Sequence, residues 1–177
     1  MEKGSPLPKK ARISRSKIKV MLAVFFDSKG TVHHEFVPRC QMVNKQLYQD
    51  VLVYLRAAVR RKRPELWENQ TLDVAPRQWA AHASLLIRSY LAKHKTSVVP
   101  HSPCSPELAP ADFFLFPKLK TTLKRRRFQT IEEIQQNAIT ELRAITESAF
   151  QEAFQQWKKR CERCIASRGD YLEGGSA

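Results

Sequence analysis

The sequence has no uninterrupted apolar run near the roughly 18 residues of a membrane-spanning helix, and Met1-Glu2-Lys3-Gly4 does not open a secretory signal. Those absences exclude a helical membrane protein and give the expectation of an intracellular chain. Cysteine is scarce: 4 in 177 residues make no disulfide framework. Cys161 and Cys164 have the C-x-x-C spacing of half a zinc site, but they fall in a helical pattern and Cys40 and Cys104 are scattered. Histidine offers no better constellation, because His33 and His34 take opposite faces of a strand and His82, His94 and His101 are isolated. No internal repeat or low-complexity tract is present beyond the Gly174-Gly175-Ser176 end.

Negative charge is short as well. Against 31 Lys and Arg stand 17 Asp and Glu, giving a formal net charge of +14 and a pI of about 10.0. Such an excess suits a polyanion, since lysine and arginine gain affinity by releasing counterions from phosphate backbones. The basic runs are Arg60-Arg61-Lys62-Arg63, Lys118 to Arg127, and Lys158-Lys159-Arg160 with Arg163. Each alone reads as a solvated face; together they make Arg60, Arg61, Lys62, Arg63, Lys124, Arg125, Arg126 and Arg127 the candidates for non-specific DNA contact. Lys9-Lys10-Ala11-Arg12 reads either as a nuclear import signal or as a basic linker into the domain. The expected compartment is the nucleus, otherwise the cytoplasm, and the expected organisation is a linker over 1–17 and one domain over 18–177.

Hydrophobic periodicity predicts a strand from about Ile18 to Phe26 and another from Thr31 to Val37, joined at Gly30. Asn44 caps a helix with Tyr48, Val51, Leu52, Leu55 and Val59 on one face, ending before Pro64. Leu72–Ala75 is a short strand, Ala80–Lys93 a helix carrying Leu85, Leu86 and Leu91, and Ser97–Val99 the next strand. Thr130-Ile131-Glu132-Glu133 is a capping box opening a helix with Ile131, Ile134, Ala138, Leu142 and Ile145 inward. A last helix buries Phe150, Phe154, Trp157 and Cys161. This order of strands and helices is an α/β pattern.

The run Ser105-Pro106-Glu107-Leu108-Ala109-Pro110-Ala111-Asp112-Phe113-Phe114-Leu115-Phe116 sets one carboxylate, Asp112, between a proline-stiffened loop and an apolar helix start. The four apolar residues are expected to sink into a core and hold Asp112 at its rim, where a metal-binding carboxylate belongs. The plainer reading is an Asp that caps a helix. This run resembles the mariner transposase segment Tyr-Ser-Pro-Asp-Leu-Ala-Pro-x-Asp, with Cys104 for the Tyr and Glu107 for the first Asp. The likeness continues through Ser5-Pro6-Leu7-Pro8-Lys9-Lys10-Ala11-Arg12, Val20 to Gly30, Arg61-Lys62-Arg63-Pro64-Glu65-Leu66, Arg127-Phe128 and Gly169-Asp170-Tyr171-Leu172-Glu173-Gly174.

The resemblance implies a ribonuclease-H-like fold and three acids that hold magnesium or manganese for DNA cleavage and strand transfer. Asp112 matches the third acid. The first belongs to a Gly-Asp-Glu strand upstream of Ser5, so by this analogy the chain begins at the second strand and the sheet lacks its first, central strand. Open edges on either side of that place invite self-association. The second acid sits in a His-His-Asp-Asn run with 34 residues before the third, which places it at Arg77. Around it, Leu72-Asp73-Val74-Ala75-Pro76-Arg77-Gln78-Trp79 is out of family register. One permitted coding of those residues, read one base later, gives Trp-Met-Leu-His-His-Asp-Asn-Gly with its Asp at position 77, the mark expected of two compensating frameshifts.

Neither nearby acid repairs the loss. Asp73 lies four strand residues from Arg77, about 13 Å, whereas paired ions sit only about 4 Å apart. Asp27 ends a strand before the Ser28-Lys29-Gly30 turn and matches none of the three acids. The expectation is therefore a degenerate transposase remnant with no bound cofactor, although magnesium or manganese serves the intact family. The alternatives are a nuclease completed by upstream sequence and a pseudogene product without function.

Overall fold

The computed structural model describes residues 20–38, 43–69, 72–74, 84–99, 105–124 and 126–167. The proposed linker over 1–17 lies outside them. Strand β1, Met21–Asp27, turns through Ser28-Lys29 into β2, Gly30–Val37, and the two pair antiparallel from Met21 opposite Val37 to Asp27 opposite Gly30. Gly30 has φ +127°, a region open to glycine and strained for any side chain, so the hairpin begins its return at the residue that tolerates it. The register slips by one between Phe25 and Phe26, leaving Val32 as an unpaired extra residue in β2.

Alternation along β1 divides the interior in two. Leu22, Val24 and Phe26 face a core of Leu115, Leu119, Leu142, Ile145 and Phe150. Phe25 faces the other, with Val32, Tyr48, Leu52, Leu55, Val59 and Ile87. Side chains of a strand point alternately to opposite faces, so one short strand serves both.

Helix α1, Lys45–Lys62, starts where the Asn44 side chain accepts the Leu47 N–H at 2.8 Å, and buries the predicted stripe of Tyr48, Val51, Leu52, Leu55 and Val59. Pro64 then opens the short α2, Pro64–Glu68. Helix α3, Leu85–Lys93, is capped by Ser84 and follows a different stripe from the one expected: Ile87 is fully buried and Leu91 nearly so, while Leu85 is 78% exposed. Leu85 is the first helical residue, and a turn of about 100° per residue places its neighbour two positions on against the core instead. The Ala80–Ala83 part of the predicted helix lies outside the described residues.

Strands β3, Asp73–Val74, and β4, Ser97–Val98, pair in parallel. The α/β, ribonuclease-H-like reading holds, and among the described residues the strands form two two-stranded sheets, β1-β2 and β3-β4. No described strand bridges them. After α4, Phe116–Lys124, the chain forms α5, Ile131–Ala144, and α6, Glu147–Ala166. The capping box is made: Thr130 Oγ1 accepts the Glu133 N–H at 3.2 Å while Glu133 Oε2 accepts the Thr130 N–H at 3.4 Å. Ala138, Leu142 and Ile145 are buried, with Ile131 and Ile134 half-buried nearer the end. In α6 only Phe150 and Ala153 are fully buried; Phe154, Trp157 and Cys161 are half-buried, since the later turns run past the core.

Candidate functional site

Two prolines shape the segment that carries Asp112. Pro106 opens a single tight turn, Pro106–Leu108, and Pro110 enters helical geometry with φ −55° and ψ −29°. The chain then widens, because the Phe116 N–H reaches back five residues to the Ala111 carbonyl where an α-helix reaches four. Such widened turns gather at functional sites. The Asp112 and Phe113 N–H groups both donate to the Ala109 carbonyl, at 2.8 and 3.1 Å, and the acid is half-buried.

The four apolar residues after Asp112 do not all enter the core. Leu115 is fully buried, whereas Phe113, Phe114 and Phe116 are half-buried. Consecutive helical residues point around the axis, so one in four faces inward. The others work at the rim. Phe114 meets Phe150 edge-on at 5.6 Å, and the Arg160 guanidinium lies 4.2 Å from the centre of Phe113. Arg160 Nη1 also donates to the Glu107 carbonyl at 3.1 Å. One α6 side chain therefore grips the segment before and after Asp112, a role that the basic run Lys158-Lys159-Arg160 did not announce.

The remaining acids are engaged elsewhere. Asp27 accepts Arg63 Nε on Oδ2 at 2.6 Å and Arg63 Nη2 on Oδ1 at 3.0 Å, and takes the Lys29 N–H on Oδ1 at 2.9 Å. It is a structural acid that closes the hairpin turn onto the end of α1, assisted by the Lys29–Glu65 pair. Asp73 is exposed on β3, and Arg77 lies outside the described residues. Among the described residues no three His, Cys, Asp or Glu side chains gather as a metal site.

The basic candidates split into two kinds. Arg60 and Arg61 are exposed in the last turn of α1. Lys62 is exposed as well but donates to the Val32 and Thr31 carbonyls, at 2.8 and 3.3 Å, at the bulge. Burial, with the repulsion of Arg61, Arg63 and Arg143, holds the Lys62 ammonium below the usual lysine pKa. Arg63 is locked to Asp27, whose hydrogen bonds push the guanidinium pKa up. Lys62 and Arg63 are thus engaged within the fold, on backbone carbonyls and on Asp27. In the second run, Lys124 and Arg127 are exposed, Arg126 reaches Asn137 and approaches Glu141 at 3.7 Å, and Arg125 lies outside the described residues. The fold adds Arg143 of α5, which acts on both His34 and Lys62. Its only sequence signal was a cation in the last turn of a helix.

A family profile described as Transposase (partial DDE domain) matches residues 1–69. The Mariner Mos1 transposase of Drosophila mauritiana is 32% identical over 98% of this chain and 50% of its own length. The crystal structure of the catalytic domain of Mos1 mariner transposase superposes with a TM-score of 0.81 at 30% identity, over 87% of this chain and 76% of that one. The chain belongs to the mariner transposase family. The likeness also extends to a pre-cleavage Mos1 transpososome, with a TM-score of 0.87 at 30% identity over 98% of this mariner-family chain and 51% of that one. The Mos1 catalytic domain has been solved with raltegravir and magnesium or manganese, and Mos1 transposase in a paired-end complex with the left transposon end. This mariner-family chain spans about half the length of the Mos1 transposase. Among its described residues no helix is long and apolar enough to cross a membrane.

Proposed function

We propose that this chain is a transposase-derived protein without cleavage activity of its own, and that it holds DNA through phosphate contacts independent of sequence. The observation that carries the first half is the cation at position 77, where the family spacing from Asp112 requires the second acid. A guanidinium stays protonated at any working pH and repels a divalent ion. Magnesium needs hard oxygen ligands in near-octahedral array. Asp112 can supply one, but Asp27 is already bound by Arg63, so this donor set does not fit a two-ion centre.

The second half rests on Arg60, Arg61, Lys124 and Arg127, exposed cations at the ends of α1 and α4 and beyond. Phosphate contacts position a protein without reading bases. Nuclear residence through Lys9-Lys10-Ala11-Arg12 and pairing of copies along the open edges of β1 and β3 belong to the same proposal.

The test is fluorescence anisotropy with duplexes of unrelated sequence at rising salt, alongside a nicking assay with magnesium. Expected is a dissociation constant on the order of 10⁻⁴ to 10⁻⁶ M near physiological salt, rising steeply as salt is added, alike for every sequence. Nanomolar affinity for one sequence, or magnesium-dependent nicking lost in Asp112→Ala, would overturn it. The second outcome would favour a nuclease, the reading to which the retained Asp112 lends support.

A further inference from the structure

On the side of the molecule built on the α1–α3 core, away from the core that holds the Asp112 segment, a cavity of about 250 Å³ opens between α1, α2 and the turn that follows α3. Its charged lining is Arg56, Lys93, His94 and Lys95; its apolar lining includes Trp67 and Leu66. All four ionisable lining groups are basic, and none has a carboxylate partner among the described residues. Burial first, then the charges of Arg56 and Lys93, hold the His94 imidazole below the usual histidine pKa.

Part of the lining is held in place. Arg56 lies 4.9 Å from the centre of the Trp67 ring and donates Nη1 to the His94 carbonyl at 3.3 Å, which leaves other N–H groups of its fork for a ligand. Tyr90 packs on the His94 ring at 4.6 Å. Lys95 has φ 51°, a left-handed conformation uncommon outside glycine, held by the Thr96 N–H donating to the Leu91 carbonyl at 2.9 Å. The strained turn delivers three successive basic side chains to one opening.

We infer that this cavity binds the phosphate of a nucleotide, with the attached sugar or base against Trp67 and Leu66. Cations gathered around a hollow with no acid among its described lining repel one another, and a phosphate dianion relieves that repulsion better than a single carboxylate. A planar guanidinium beside two flexible ammonium groups suits phosphate oxygens. The volume falls below the roughly 300 to 1,000 Å³ of sites that enclose a drug-sized ligand, so the hollow takes the phosphate and only part of the attached sugar or base, and not a stretch of polymer. The source is either a free mononucleotide or a terminal nucleotide of a strand. The inference does not depend on the DNA contacts proposed above, which use other cations, although Arg60 also lies 5.9 Å from the centre of the Trp67 ring.

Isothermal titration calorimetry of the full chain with adenosine monophosphate, adenosine and inorganic phosphate tests it. Adenosine monophosphate should bind one per chain and at least about tenfold more tightly than adenosine. The Lys93→Ala/Lys95→Ala variant changes two exposed residues and should retain its circular dichroism while losing at least about tenfold in affinity. Lys118→Ala/Lys120→Ala, on α4, should bind unchanged. A 5′-phosphorylated oligothymidylate displaced by adenosine monophosphate identifies a strand terminus as a source, and one left undisturbed identifies the free nucleotide. Adenosine binding as well as its monophosphate, equal losses in both lysine variants, or no saturable heat up to about 10 mM nucleotide would overturn the assignment.

Discussion

Arg63 holds Asp27 in a two-pronged grip, Nε to Oδ2 at 2.6 Å and Nη2 to Oδ1 at 3.0 Å, with side chains only 13% and 26% exposed. A residue that sequence placed among DNA contacts and the acid that ends β1 thereby become a single clasp between the hairpin turn and the end of α1. Hydrogen bonds to charged groups are worth about 1.5 to 3 kcal/mol each way of counting. A double-mutant cycle on Asp27→Asn and Arg63→Gln, read by urea unfolding, should give a coupling in that range. A coupling near zero would return Arg63 to the solvent-facing cations.

The division of the basic run makes a second prediction. Arg60→Ala and Arg61→Ala should each lower the salt slope of DNA binding by about 1 while leaving the melting temperature nearly unchanged. Lys62→Ala should do the reverse, because it strips the partner from the Val32 and Thr31 carbonyls. Equal effects of all three on the salt slope would show that Lys62 leaves the bulge to contact phosphate.

Phe150 ties the candidate site to the core. It is 1% exposed and touches the rings of Phe26 and Phe114. Phe150→Ala should cost about 3 to 5 kcal/mol of stability, and hydrogen exchange across Ala111–Leu115 should quicken with it. Arg160→Ala should quicken exchange in the same segment with a smaller loss, since it removes a rim clamp and no core volume. Unchanged exchange there in both variants would separate Asp112 from α6.

Stability should depend on acid through His34. Burial first, then the repulsion of His33, Lys62 and Arg143, holds its pKa below the ordinary 6.5. The unfolded chain therefore takes up the proton first, so stability is full above about pH 6.5 and declines as pH falls through that value toward the folded pKa. His34→Gln should flatten that decline in thermal melts from neutral to mildly acidic pH. The same slope in both proteins would assign it to other groups.

Arg77→Asp in this 177-residue chain should not produce magnesium-dependent DNA cleavage, because Asp112 and the new carboxylate are two of the three acids that the family resemblance implies. Adding the family's upstream Gly-Asp-Glu strand together with His-His-Asp-Asn at positions 75 to 78 should produce it. Cleavage by Arg77→Asp alone would bring Asp27 back as a ligand and require its clasp with Arg63 to open. Codons for 72 to 79 that do not permit the shifted reading would remove the frameshift account.

Sequence alone determined the elements whose information is local. Asn44, Pro64, Gly30 and the Thr130–Glu133 box mark their ends through hydrogen bonds and backbone angles that need no distant partner. The ordered motifs around Asp112 carried the family in the same way. Tertiary structure alone decided the rest, because it depends on which distant groups meet. The bulge at Val32 turned Lys62 into a backbone ligand, and the hairpin turn turned Arg63 into a clasp. Arg160 was brought across to the Asp112 segment, and Arg56 was set beside the Lys93-His94-Lys95 turn. A cation in a sequence carries only its charge; whether that charge meets a carbonyl, a carboxylate, a ring or a hollow is fixed by packing.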